Sequence, residues 1–331
     1  MCGICGVRRF GSTPITEAQI DTLLVSNEKR GNHATGLALQ QADGSVDVFK
    51  ADVPAWSFVQ RTEYEQFLKR NLRADTVAFL GHTRFGTKGH QSKNENNHPI
   101  FAGKTAVVHN GMISNDDDLF KDLKLERKCE TDSDIIRAVL DHYGFTRKGL
   151  DTMNRFNGSA AFAAVSPEFP GKLVLGRSGN PIILCGTRDQ LIWSSEKDAI
   201  YRAIRPYVKK FGFIMRDTRA SDVSFIPMNN DSVYVIGQPQ DHERGWEADW
   251  IEWHQQLHIA YSNWTGVSYS RERLSGVYCD VRTRVYGDTQ VDVVQCPNKK
   301  CAVFLPIGKT PVAQLKRWKC KECGTKIIKE E

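Results

Sequence analysis

The chain has no apolar run approaching the roughly 20 residues that cross a bilayer as a helix. Its opening residues, MCGICGVRRF, lead into polar sequence rather than the apolar core of an export signal. Both absences point to a cytoplasmic protein with no membrane partner. The 331 residues contain no internal repeat and no low-complexity tract, which argues against a solenoid or a disordered tail. An even complement of cysteines is also missing. There are nine, so a disulfide framework is not expected, and thiol chemistry or metal binding takes its place. Strong charge of one sign is absent too, the net charge being +6. Much of that excess lies in residues 296–331, which hold nine Lys and Arg against three Glu. Apolar residues at 40% and charged residues at 25% suit a soluble globular chain with one large domain and one small one.

What is present divides into three stretches. Residues 2–237 alternate strand-length apolar runs (VAFLGH, TAVVHN, SAAFAAV, KLVLGR, PIILCG and SVYVIG) with helical patterns, and read as a mixed α/β domain. One helix is predicted in TEAQIDTLLVSNEKR, opened by Thr16 as a cap. Another is predicted in SDIIRAVLDHY, with Ile135, Ile136, Val139 and Leu140 on one face. Residues 238–289 are rich in tryptophan. Trp246, Trp250 and Trp253 are spaced four and three apart, which predicts an amphipathic helix that packs on the main domain or docks a partner. Residues 290–331 hold two cysteine pairs.

The stretch MCGICG raises a chemical question of its own. Removal of Met1 would make Cys2 the terminal residue, with a thiol and a free α-amine together. Such an amine has an ordinary pKa of about 7.7–8.0, so it can take the thiol proton and leave the nucleophilic thiolate. Read alone, the six letters fit equally a cysteine that merely follows methionine.

Four further stretches decide between these readings: KRGNHATGLAL, GHTRFGTKG with NNHPI after it, VVHNGMISN, and CETDSDII. In this order and spacing they resemble the glutaminase domain of class II glutamine amidotransferases, the N-terminal-nucleophile family. The resemblance covers residues 2–237 and implies an Ntn-hydrolase fold, a four-layer αββα sandwich. It implies Cys2 as nucleophile, with Asn110 and the N–H of Gly111 stabilising the oxyanion. Arg84 would fork onto the carboxylate of L-glutamine, as a planar bidentate donor can, and Asp132 would pair with its ammonium. Asp134 ranks below Asp132. Thr87 falls in the glutamine loop, His98 near the site, and Arg30 in a supporting position. His82 and His109, beside the motifs, read as strand-end packing residues, and Cys5 as a small buried apolar residue. The chain departs from several members at Phe85, where they have Trp, and at Lys88, where they have His.

At the other end, CPNKKC supplies Cys296 and Cys301, and CKEC supplies Cys320 and Cys323. Two pairs at this separation fit a tetrahedral structural Zn²⁺ site of four cysteines, a zinc ribbon whose metal supplies the folding energy a small core lacks. A redox dithiol stays open. Lys299, Lys300, Lys309, Lys316, Arg317, Lys319 and Lys321 leave nucleic acid open as a partner beside protein docking or a stabilising role.

The expected function is glutamine-amide hydrolysis through a Cys2 thioester, with no cofactor needed for that step. The chain lacks a Ser-Gly-Gly-x-Asp-Ser pyrophosphatase loop, a phosphoribosyl-binding acidic run and room for a sugar isomerase. The ammonia is therefore expected to go to an acceptor on a separate partner enzyme, with nucleobase or nucleic-acid modification as one setting. Two alternatives stand beside it. One is an Ntn cysteine hydrolase of another γ-glutamyl amide. The other is a non-catalytic nucleic-acid-binding protein working through the zinc ribbon.

Overall fold

The computed structural model describes residues 1–187, 189–210, 224–228 and 230–237, together with four later strands. It divides into compact units Met1–Ser262 and Asn263–Glu331. In the first unit, seven strands form one antiparallel sheet: β1 (Gly3–Arg9), β2 (Ala34–Gln41), β3 (Val46–Ala51), β4 (Thr76–Arg84), β8 (Ile183–Gly186), β9 (Gln190–Ser194) and β10 (Ser224–Pro227). Their order is β10-β8-β9-β1-β4-β2-β3. A second sheet, in the order β12-β11-β7-β6-β5, contains β5 (Ala106–Ile113), β6 (Gly158–Val165), β7 (Leu173–Ser178), β11 (Ser232–Ile236) and β12 (Ile251–Gln256).

The strand runs look continuously apolar because the central strands of both sheets are covered on both faces. Cys5 and Val7 of β1 join Ile20, Leu23 and Leu24 in an outer core. That core lies under α1 (Glu17–Asn27), α2 (Ala55–Phe58), α3 (Thr62–Asn71) and α7 (Lys197–Lys210). Val107 of β5 joins Ile135, Ile136 and Val139 in a second outer core, under α4 (Asp116–Asp122), α5 (Asp134–Tyr143) and α6 (Arg147–Thr152). Between the sheets a third core gathers the opposite parity, with Ile4, Ala78, Leu80, Ala106, Val108, Ala161 and Ala163. Three cores separate four layers, helix–sheet–sheet–helix, as the family resemblance implied. The alanines let the two sheets approach closely.

Both anticipated helices form. Thr16 accepts a hydrogen bond from the Gln19 N–H at the start of α1, and the apolar face of SDIIRAVLDHY is buried in α5. The helix expected through Trp253 does not extend over Ile251–Gln256, which is a strand antiparallel to β11. There Ile251 and Trp253 alternate with Glu252 and His254, and this period of two outweighs the three-to-four spacing of the tryptophans. The first unit therefore reaches beyond residue 237. Trp246, Trp250 and Trp264 lie outside the described residues. In the second unit, β13 (Val281–Tyr286), β14 (Thr289–Gln295) and β15 (Phe304–Pro306) form an antiparallel sheet. Among the described residues no helix is long and apolar enough to cross a membrane.

Candidate active site

The pairing of β1 with β4 sets the site. Gly3 faces Thr83 and Ile4 faces His82, which brings Cys2, just before β1, alongside Arg84 at the end of β4. The Cys2 Sγ accepts a hydrogen bond from the Phe85 N–H at 3.3 Å and lies 3.5 Å from the Phe85 carbonyl. Burial raises the thiol above its ordinary range. The Phe85 N–H, the chain's amino group and Arg84 oppose that rise, and Asp132 adds to it. Arg84 and Asp132 are thus both within electrostatic reach of the sulfur. The backbone of Cys2 is anchored separately, its carbonyl accepting from Arg30 Nε at 2.9 Å while Arg30 pairs with Glu196 at 2.9 Å.

Arg84 is 2% exposed and is held by neutral acceptors. Nη1 donates to Asn97 Oδ1 at 3.1 Å, and Nη2 to the carbonyls of Lys88 and Gly89 at 2.9 and 2.6 Å. Its charge therefore stays available to an incoming anion. The loop supplying those carbonyls is itself tied down. Lys88 pairs with the buried Asp116 at 2.7 Å, and Arg127 reaches the same carboxylate at 2.7 Å. Thr87 and Phe85 in that loop are exposed, and the Phe85 ring stacks on His33 at 4.9 Å.

Asn110 and Gly111 sit near the end of β5. Asn110 is buried, yet its side-chain Nδ2 has no partner among the described residues, so this donor remains unspent. Gly111 has φ +156°, and a Cβ there would lie 2.0 Å from the Ser159 carbonyl, so only glycine fits. Asp132 accepts from the Ile113 N–H at 2.7 Å, which fastens it to the end of the same strand. Asp134 is committed elsewhere, accepting from the Lys128 and Cys129 N–H groups and pairing with Arg137. That is a physical reason for ranking it below Asp132.

Cys2, Arg84 and Asp132 therefore come together at one end of the sandwich, Asp132 being tied to the strand that carries Asn110 and Gly111, with Arg30 behind Cys2. His98 is placed differently, buried and stacked on His82 at 4.1 Å, with neither ring nitrogen partnered among the described residues. Burial holds both rings neutral, His82 pushed down to about 3 and His98 well below its ordinary value. Cys5 is fully buried in the α1 core. Cys296, Cys301, Cys320 and Cys323 lie outside the described residues. The first pair falls, in sequence, between β14 and β15.

Several supporting residues escaped the sequence reading. Asn97 holds Arg84, Glu196 holds Arg30, and Asn180 donates to the Asn110 carbonyl at 3.1 Å. Lys50 donates to the carbonyls of Asn97 and Pro99, and burial lowers it to about 8. Only Asn97, within NNHPI, stood inside a motif.

Comparison with known proteins agrees with this geometry. Residues 82–202 match the glutamine amidotransferase domain family. The isomerizing glutamine–fructose-6-phosphate aminotransferase of Gluconobacter oxydans is 30% identical over 224 residues, 65% of this chain and 34% of that protein. Its namesake from Agrobacterium fabrum is 30% identical over 258 residues, 74% and 38% respectively. The chain thus spans little more than a third of the length of these relatives. Glutamine phosphoribosylpyrophosphate amidotransferase from B. subtilis, solved with ADP and GMP, shares the fold, with TM-score 0.52 and 16% identity over 77% of this chain and 49% of that one. Four layers with a cysteine at the head of β1 define the N-terminal-nucleophile hydrolase architecture. Within it, this chain carries a class II glutamine amidotransferase domain.

Proposed function

We propose that this protein hydrolyses the side-chain amide of L-glutamine and passes the ammonia to an acceptor held by a partner enzyme. The observation that carries the reading is the arrangement just described, in which a thiol, a buried carboxylate, an amide donor and a cation, the last two without a hydrogen-bonded or carboxylate partner respectively among the described residues, share one end of the sandwich. In this reading Met1 is removed and the α-amine of Cys2 takes the thiol proton. Glutamine binds with its carboxylate on Arg84 and its ammonium on Asp132, under the loop containing Thr87. The thiolate attacks the amide carbon, and the charge on oxygen falls on Asn110 Nδ2 and the Gly111 N–H. The C–N bond breaks as the α-ammonium protonates the leaving nitrogen, giving ammonia and a γ-glutamyl thioester. Water, deprotonated by the same amine, then releases glutamate and restores the thiol.

The experiment is ammonia release from L-glutamine by protein shown by intact mass to begin at Cys2, with Cys2→Ala alongside. Release that disappears in the variant supports the reading, and its absence from correctly trimmed protein overturns it. Transfer of the ammonia to an acceptor is the part of this reading that the amidotransferase domain supports. A structural zinc site at Cys296, Cys301, Cys320 and Cys323 belongs to the same proposal. It is supported by the cysteine spacing and by the position of the first pair between two paired strands. One zinc per chain, lost in Cys320→Ser, is the expected elemental analysis. The basic character of residues 296–331 leaves nucleic acid open as a further contact beside protein docking, and such a contact would weaken steeply with added salt.

A further inference from the structure

The two donors assigned to the oxyanion belong to a short piece of an edge strand. β5 pairs with β6 on one side and, among the described residues, meets only a single bridge from Ile100 to Val107 on the other, so the backbone around Asn110 draws on partners from outside the ladder. The His109 and Asn110 carbonyls, which point to opposite edges of the strand, each meet a side chain that β5 does not supply. The Asn110 carbonyl accepts from Asn180 Nδ2 at 3.1 Å, and Asn180 also donates to Ser159 Oγ at 3.0 Å. The His109 carbonyl lies 3.0 Å from His82 Nε2. A carbonyl only accepts, so His82 carries its hydrogen on Nε2, and Asn180 presents its amide nitrogen.

The geometry of the peptide group makes these bonds consequential. The Asn110 carbonyl and the Gly111 N–H are opposite edges of one rigid plane. Whatever fixes the carbonyl fixes the direction of the N–H, and a hydrogen bond to the oxygen polarises the N–H as a donor. His82 does the same for the preceding plane, which carries the Asn110 backbone. His82 stands on β4, two residues before Arg84, and β4 and β5 belong to different sheets. Its bond is thus a polar tie between the sheet bearing Cys2 and the sheet bearing Asn110. Stacking against His98 sets the plane of its ring.

We infer that Asn180 and His82 are positioning residues for the oxyanion hole, holding the two peptide planes around Asn110 in register with the Cys2 sulfur. The inference rests on the glutaminase reading and deepens it. It gives His82 more than the packing role read from the sequence. Asn180, in the SGNP turn after β7, lies outside every motif that carried the family resemblance.

The test uses full-length protein beginning at Cys2. Asn180→Asp is nearly isosteric but replaces a donor with an acceptor facing a carbonyl, and Asn180→Ala removes the group. His82→Leu removes the inter-sheet donor, and His82→Gln restores an N–H at similar reach. Expected is a fall in kcat of about tenfold to a hundredfold for Asn180→Asp and His82→Leu, in keeping with the cost of small misplacements in active sites. KM for glutamine should stay within about twofold, since Arg84 and Asp132 are untouched. His82→Gln should recover part of the loss. Affinity for the aldehyde analogue of glutamine, whose Cys2 adduct places its oxygen in the hole, should fall in step with kcat. Alkylation of Cys2 by iodoacetamide should keep its rate. Variants matching an active wild type, or showing a raised KM together with falls in alkylation and kcat, overturn the assignment. A trimmed wild type that releases no ammonia overturns the glutaminase reading, and this assignment with it.

Discussion

The layer between the sheets holds a buried arginine near each end, and the two are treated in opposite ways. Arg84, beside Cys2, is caged by three neutral oxygens from Asn97, Lys88 and Gly89. Arg8, at the far end of β1, is fully buried and donates to the carbonyls of Val77 and Arg9, while its Nε and Nη2 have no partner among the described residues. Burial and the neighbouring Arg9 pull its guanidinium down to about 10. One cation is built around and the other is merely enclosed. A charge kept for a ligand is thus marked by a cage that fixes its direction without neutralising it, and burial alone is not the mark.

That contrast can be broken most forcefully at Arg84. Arg84→Ala should lower kcat/KM for glutamine about a hundredfold through the lost charge-assisted fork, and Arg84→Lys should regain little of it. Steady-state kinetics on trimmed protein checks both, and an unchanged KM would remove Arg84 from substrate binding. Next in size is the acid response of the same end. His82, His98 and His109 are all shifted below their ordinary value by burial. Between the unfolded value near 6.5 and the folded values, the unfolded chain binds more protons than the folded one. Stability is therefore full above about pH 6.5 and lost as pH falls, by up to about 1.4 kcal/mol per pH unit for each histidine. Urea unfolding at pH 7, 6 and 5 measures the slope, and His82→Gln should flatten it.

Smaller effects separate the arginines further. Arg8→Met should leave glutamine turnover unchanged and stabilise the fold by about 1 kcal/mol, since an enclosed charge without a counter-ion gives way to apolar packing. A loss of stability in thermal melts would show instead that its two carbonyl contacts outweigh the charge. Smallest is Lys88→Met, which cuts the tie from the Arg84 cage to Asp116. That lysine is substantially exposed, so a rise in KM of roughly threefold is expected.

The candidate reactive residues were legible because the chemistry restricts their types and each sits in a short motif. Cys2, Arg84, Asn110, Gly111 and Asp132 were all named from those motifs, and the fold brings Cys2, Arg84 and Asp132 within electrostatic reach of one another. The residues that hold them were not legible. Asn97, Asn180 and Glu196 act on backbone carbonyls or on another side chain's charge, jobs that many residue types can do. Asn180 and Asn110 are also 70 positions apart, and only the folded hairpins make them neighbours. The strand at Ile251–Gln256 was missed for a related reason, because three tryptophans at helical spacing outvoted a four-residue alternation, Ile251 to His254. The layered architecture came through the family resemblance, whereas the apolar runs alone specified strands without saying which faces they cover.

The anchoring of Cys2 has a consequence for timing. Its carbonyl is gripped by Arg30, its sulfur rests on the Phe85 N–H, and regular pairing begins at Gly3. None of these holds passes through the bond to Met1. On the glutaminase reading, hydrolysis of that bond changes what the residue can do without changing where it is. The protein would then fold completely as an inert blank, and a single cut would arm it in place.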